Sequence, residues 1–406
     1  MTRPKLTSQF VQTMDANLTY WRHRRTQPLP LPPEERLAEL RNLSFALRYG
    51  LEYPQTRLKS VELLGHWFEV FELHGLWGEW IQIMERAIQL CETDDPFLTC
   101  KLLNRTGFLY RLNRQVPIAI ATHQRALHLA EQSGQAFERT YAHFFLSDDY
   151  YARHEYSLAT EHGLMAVAGF EQLGMLGPEL AGTYNTLGMI AKEQGNYEVV
   201  EQRYAQALAL WRQYGKREKQ LYTMNNLAEA LLSSGKSEAA LNCLQEALEV
   251  LETTPNKILE TYLQLMRGRA YFDLQDFARA KTVFKQIDTL YLQQTGLLLL
   301  LGIVLNNLGN VSLEMEDYAQ AETYLSEAIT HYRQVEDELN LANSLGDLAK
   351  ALVSQGRTIE AIPHYKEALL LLEKYPQNAW ARKLFAKFTA AQQALDLETL
   401  ERLESG

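Results

Sequence analysis

Three cysteines in 406 residues, Cys91, Cys100 and Cys243, are too few and too irregularly spaced for a disulfide framework or a zinc site. Free thiols within helical packing are expected. A long apolar run is missing too: the longest, Gly296 to Leu305, is ten residues, where a bilayer span needs about 20. No membrane partner is therefore expected. The start MTRPKLTSQF lacks the charged and then apolar run of a secretory signal, which points to the cytoplasm. Basic excess is absent as well. A net charge of −10 argues against nucleic acid as a partner, because displacing counterions from phosphates requires a basic face.

Motifs of chemistry are equally scarce. The sequence contains no nucleophile elbow, no HExxH and no Gly-rich dinucleotide loop. Gly235, Lys236 and Ser237 echo the end of a phosphate-binding loop, but Ala230 stands where its first glycine belongs. The densest set of acid, base or metal-binding groups is His143, His154 and His162 with Asp148 and Asp149. Those spacings match no ligand motif, so a structural or surface role is expected. The chain reads as noncatalytic, without metal or cofactor. At 46% hydrophobic and 22% charged residues it has enough apolar surface to fold rather than stay disordered.

What the sequence does have is a repeat. Phe68, Gly107, Ser147, Gly188, Ala228, Gly268, Gly309 and Ala349 recur every 39 to 41 residues. Twelve residues after each lie Trp80, Ala119, Ala159, Val200, Ala240, Ala280, Ala321 and Ala361. Seven further on come Ala87, Ala126, Ala166, Ala207, Ala247, Ile287, Ala328 and Ala368. Small side chains at fixed points allow antiparallel helices to approach closely. Larger residues such as Leu187 and Tyr197 fill what remains. Gly75, Gly195, Gly235 and Gly356 occupy equivalent turns, where a helix would end in a left-handed residue. Such units bury their faces by stacking, so one elongated body is expected in place of separate globules.

The stretch NTLGMIAKEQGNYEVVEQRYAQALAL from Asn185, and NNLGNVSLEMEDYAQAETYLSEAI from Asn306, resemble the tetratricopeptide repeat family. The resemblance covers roughly residues 59 to 375. It implies an all-α, right-handed superhelical solenoid of about eight helix-turn-helix repeats with a C-terminal capping helix. The family's usual period is about 34 residues, and these longer units are similar to the sensor arms of bacterial signal-transduction ATPases and of peptide-responsive regulators. Four segments are expected: a basic and proline-containing lead (1–33), a leading helical segment (34–58), the repeats (59–375) and the capping helix (376–406). In the lead, Arg22 to Arg25 and the PLPLPP run read either as a docking peptide or as a stiff spacer before a helix starting near Glu34.

The resemblance also implies a concave groove lined by the first helix of each unit. At the positions it assigns to that groove stand Tyr141, Tyr222, Asn226, Tyr262, Asn307, Asn343 and Asp347, with Asn225, Asn306 and Asn310 beside them. Asparagine is a poor interior helix residue, and in the family such amides grip the main chain of an extended peptide. A carboxamide suits this because it both donates and accepts. The same amides could instead only complete packing between helices. Lys101 and Arg105, one turn apart, resemble the basic members of the family's carboxylate clamp, although His66 stands where the clamp carries Asn. The expected partner is a protein or peptide bound in the groove by an adaptor or regulatory arm. The alternative is a ligand-sensing receptor acting on a separate effector protein.

Overall fold

The structure is a computed structural model, and it describes residues 8–24, 33–73, 76–91 and 95–404. Every regular element among them is helical. Residues 1–216 and 217–406 form two compact units.

In the first unit, α1 (Ser8–Arg24), α2 (Pro33–Glu52), α3 (Pro54–Leu73) and α4 (Trp77–Cys91) precede three regular pairs. These are α5 (Pro96–Leu112) with α6 (Val116–Gln132), α7 (Ala136–Ala152) with α8 (Tyr156–Gln172), and α9 (Pro178–Glu193) with α10 (Tyr197–Gln213). The second unit has α11 (Arg217–Ser233) with α12 (Ser237–Glu252), then α13 (Lys257–Asp273) with α14 (Phe277–Lys285) and the short α15 (Thr289–Gln294). It continues with α16 (Leu298–Glu314) and α17 (Tyr318–Gln334), α18 (Glu338–Ser354) and α19 (Thr358–Leu372), and ends with α20 (Ala379–Glu404). Helices α5 and α6 are each 17 residues long. With three-residue turns after each, they account for the 40-residue period.

The small positions lie where paired helices touch. A methyl group added at Gly188 would stand 2.6 Å from the Tyr204 ring, and one at Gly309 would stand 2.6 Å from Leu325. The alanines of the two later positions, from Ala119 to Ala368, are fully buried. Close approach lets Tyr204 and Leu325 fill the space a side chain would have taken, so dispersion contacts replace a void. At the turns, Gly195 (φ 73°), Gly235 (φ 74°) and Gly356 (φ 78°) are left-handed. The Asn196 amide donates to the Ala191 carbonyl and the Gly195 amide to that of Lys192, which closes the helix end in a Schellman motif. Gly75 lies outside the described residues. Arg114, His154, Gln275 and Glu316 hold the equivalent left-handed conformation without being glycine, at a cost of about 1–2 kcal/mol each.

Two features depart from the repeat pattern. The lead contains a helix: Met14, Leu18 and Trp21 recur at i, i+4 and i+7 and bury one face of α1. The Trp67 indole N–H donates to the Trp21 carbonyl, and Arg24 forks onto Glu39. The PLPLPP run lies mostly outside the described residues. The second departure is α14, which ends after 9 residues where the other second helices of this unit run 15 to 17. Ile287 stands there in the place of a fully buried alanine. The chain turns there at Gln286–Asp288, and Asp288 caps α15 by accepting from the Tyr291 amide. At the end, Phe388 packs under Gly346, and Phe388 and Leu395 are buried; the side chain of Leu400 lies outside the described residues.

Gly188→Ala should destabilise the chain by about 1–3 kcal/mol through overpacking against Tyr204. Glu316→Gly should raise stability by up to about 1 kcal/mol by relieving the left-handed residue. Urea unfolding midpoints of both variants test this, and an unshifted midpoint for Gly188→Ala would remove the close-approach argument.

Candidate functional site

Helices α5, α7 and α9 present one face of the first unit, and α11, α13, α16 and α18 one face of the second. On the first, the Arg105 guanidinium lies 5.1 Å from the centre of the Phe68 ring. An added methyl at Gly65 would stand 2.7 Å from its Nη1. Between Arg105 and Lys101 the facing group is Glu138 of α7, only 3% exposed. Its carboxylate accepts from the Asn104 amide at 2.9 Å. Burial raises the Glu138 pKa, and the Asn104 hydrogen bond, then the two cations, partly offset that rise. Burial, then the neighbouring Arg105 charge, lower that of Lys101. The basic pair is thus partly answered from within the protein. Tyr141 bridges first helices: its hydroxyl donates to Glu179 of α9 at 3.1 Å, and burial, then Glu179, keep the phenol protonated.

A buried network lies beneath this face, and motif spacing does not reveal it. His123 of α6 is fully buried, with Nδ1 2.6 Å from Asp149 Oδ2 and Nε2 3.0 Å from the Asn104 carbonyl. Its ring stacks on Phe145. Arg111 reaches Asp148 at 2.7 Å, and Thr186 of α9 donates to the same Asp148 carboxylate at 2.7 Å. The sequence signal is indirect: the imidazole of His123 occupies the space left by the missing side chain of Gly107. Asp148 and Asp149 therefore serve this network and do not join the three histidines. His154 sits in a turn, its Nδ1 2.9 Å from the Tyr156 hydroxyl. His143 and His162 pair with each other, Nδ1 to Nδ1, at 2.9 Å. No group of three or more His, Cys, Asp or Glu side chains among the described residues could hold a metal ion. Cys91 and Cys100 are buried and form no disulfide, and burial pushes Cys100 up to about 11.

On the second unit the amides divide. Asn306 Oδ1 accepts from the Ser344 hydroxyl of the next first helix at 2.7 Å, and Asn307 Nδ2 donates back to the Ile303 carbonyl at 2.8 Å. Asp347, 5% exposed, accepts from Lys387 of α20 at 3.0 Å. Asn225 has a buried carboxamide oxygen without a partner among the described residues. Asn226, Asn310 and Asn343 are half-buried. Tyr222 and Tyr262, by contrast, are 45% and 40% exposed. The two phenols are close enough for Tyr262, after burial and Glu218, to raise the Tyr222 pKa.

Residues 179–253 and 300–374 match a tetratricopeptide repeat family model, and residues 262–293 match a second one. The chain carries tetratricopeptide repeats. No curated protein matches its sequence. Among solved structures, similarity extends to a signal transduction ATPase with numerous domains and a tetratricopeptide repeat sensor from Pyrococcus horikoshii. There the TM-score is 0.66 at 14% identity, over 95% of this chain and 56% of that one. The apo form of the quorum sensor NprR from B. thuringiensis gives 0.61 at 13% identity, over 89% of this chain and 99% of that one. Aspartyl phosphate phosphatase F from Bacillus subtilis gives 0.56 at 14%, over 94% and 97%. At these identities the likeness is one of tetratricopeptide fold. No helix of the described residues is long and apolar enough to cross a membrane.

The histidine pair yields a pH dependence. Burial, then the neighbouring His162 and Arg139, lower His143 to about 4, and burial lowers His162 against the opposing pull of Glu161. The neutral rings are favoured in the folded chain relative to the unfolded one, where the ordinary value is about 6.5. Their contribution is therefore complete above about pH 6.5 and is lost as pH falls toward 4. The buried Glu138, raised instead, acts in the opposite sense, so the comparison is between variants. Melting temperatures of the natural chain and His143→Gln should converge from pH 7.5 to 4.5; parallel curves would show that the pair does not titrate with folding.

Proposed function

We propose that the chain is a noncatalytic interaction module, an adaptor or regulatory arm, that binds an extended peptide or a segment of a partner protein along its first-helix faces. The observation that carries this reading is the pair of exposed tyrosines. Tyrosine buries a large flat area at little entropic cost and keeps a hydroxyl for hydrogen bonding, which makes exposed rings of this kind good anchors for a ligand. Asn226 lies half-buried one turn after Tyr222, and its carboxamide can offer a peptide main chain both a donor and an acceptor. Asn307 keeps its carboxamide oxygen, while Asn306 and Asp347 serve packing. Lys101 and Arg105 would add a carboxylate-binding position on the first unit, with Glu138 as the competitor that a ligand must displace.

A second reading is a ligand-sensing receptor that acts on a separate effector. The quorum sensor and the ATPase sensor arm that share this fold motivate it. Compaction on ligand addition, read by small-angle scattering, separates the two.

Replacing Tyr222, Tyr262 and Asn226 together by Ala should abolish recovery of bound protein or peptide from native lysate while leaving helicity and melting unchanged. Partners retained by that variant would refute the tyrosine face as the binding surface. Lys101→Ala with Arg105→Ala should weaken an acidic or C-terminal carboxylate ligand by more than tenfold, and unchanged affinity would remove the clamp.

A further inference from the structure

Helix α13 is flanked by two openings, one against α12 and one against the turn that follows α14. Lys257, Glu260, Gln264 and Arg267 fall at i, i+3, i+7 and i+10, one stripe of that helix. The stripe lines a cleft of about 510 Å³ against Leu248, Leu251 and Pro255. Lys257, Glu260 and Gln264 also line a smaller cavity of about 20 Å³ against Gln286, Asp288 and Tyr291, where the chain turns after α14. Gln264 is two positions, about 200° of helix rotation, from both Tyr262 and Met266. The cleft is therefore separate from the tyrosine face.

Its polar groups are unevenly satisfied. Lys257 and Glu260 pair with each other at 3.3 Å. Asn256 caps α13 by accepting from the Ile258 and Leu259 amides, both at 3.1 Å. In contrast, Gln264 Oε1 is buried with no hydrogen-bond partner among the described residues, an arrangement that is unfavourable unless a donor is supplied. Arg267 has no ion pair among the described residues; its guanidinium lies over the Tyr271 ring at 5.9 Å. An acceptor and a cation thus stand one helical turn apart beside an apolar wall. With a hydrogen bond of about 2.9 Å at each end, the amide N–H and carboxylate of a single acylated amino-acid residue can bridge groups one helical turn apart, and a volume of several hundred Å³ suits a ligand of that size.

We propose that this cleft binds the terminal residue of an N-acylated amino acid or short peptide. The ligand amide donates to Gln264 Oε1, its carboxylate pairs with Arg267, and its aliphatic side chain packs on Leu248 and Pro255.

Isothermal titration of the full chain with N-acetyl-leucine, its methyl ester, and a tetrapeptide of three alanines ending in leucine tests the proposal. Saturable one-site binding of N-acetyl-leucine or the tetrapeptide is expected, at least tenfold weaker for the ester and for Arg267→Met and Gln264→Leu. Binding of the tetrapeptide assigns a peptide C terminus as the source, and binding of N-acetyl-leucine alone assigns a small molecule. Tyr222→Ala with Tyr262→Ala should leave this binding unchanged. Should Gln264→Leu lose helicity, the partly exposed Arg267→Met carries the comparison. Absence of saturable binding by either acid, equal binding of the ester, or full affinity in Arg267→Met would overturn the assignment.

Discussion

The distance between paired helices is the constraint on which the rest of the fold depends. It is set by residues with little or no side chain, because a methyl at Gly188 or Gly309 would press into Tyr204 or Leu325. Interiors are packed near the density of organic crystals, so a larger residue at such a point must displace something. Each pair keeps its spacing by putting the bulk on one helix and the gap on the other.

Where the constraint is met in an unusual way, chemistry enters. At Gly107 the space is taken by the His123 imidazole, and a histidine with both ring nitrogens buried needs polar neighbours. Asp149 and the Asn104 carbonyl supply them, while Arg111 and Thr186 tie the adjoining Asp148 to the first helices before and after its own. At Ile287 the constraint is broken, and the second helix stops early. The turn that follows borders a small cavity shared with Lys257, Glu260 and Gln264 of α13.

The two first-helix faces differ in how much they leave to a partner. On the first unit, Tyr141 is bonded to Glu179 and the Lys101–Arg105 pair meets Glu138, so a ligand would compete with the protein's own groups. On the second, Asn306 and Asp347 are committed to Ser344 and Lys387, but the rings of Tyr222 and Tyr262 remain exposed. Burial of such rings by a ligand is favourable without breaking any existing bond.

The sequence by itself determined the helix-pair repeat, its 40-residue period and the turn positions, because these follow from local size and from backbone conformation. The tetratricopeptide resemblance also marked Tyr222 and Tyr262 as candidates, at the positions it assigns to the groove. The sequence did not separate the asparagines, since a carboxamide that grips a ligand and one that ties two helices are the same residue type at the same spacing. Nor did it show that Asp148 and Asp149 belong with His123 and Arg111, which lie some 25 to 38 residues earlier in the chain. The packed first unit also took in α1, whose apolar stripe is overshadowed in the sequence by the basic and proline-rich residues that follow. Those outcomes depend on which side chains meet across helices, and only the tertiary structure decided them.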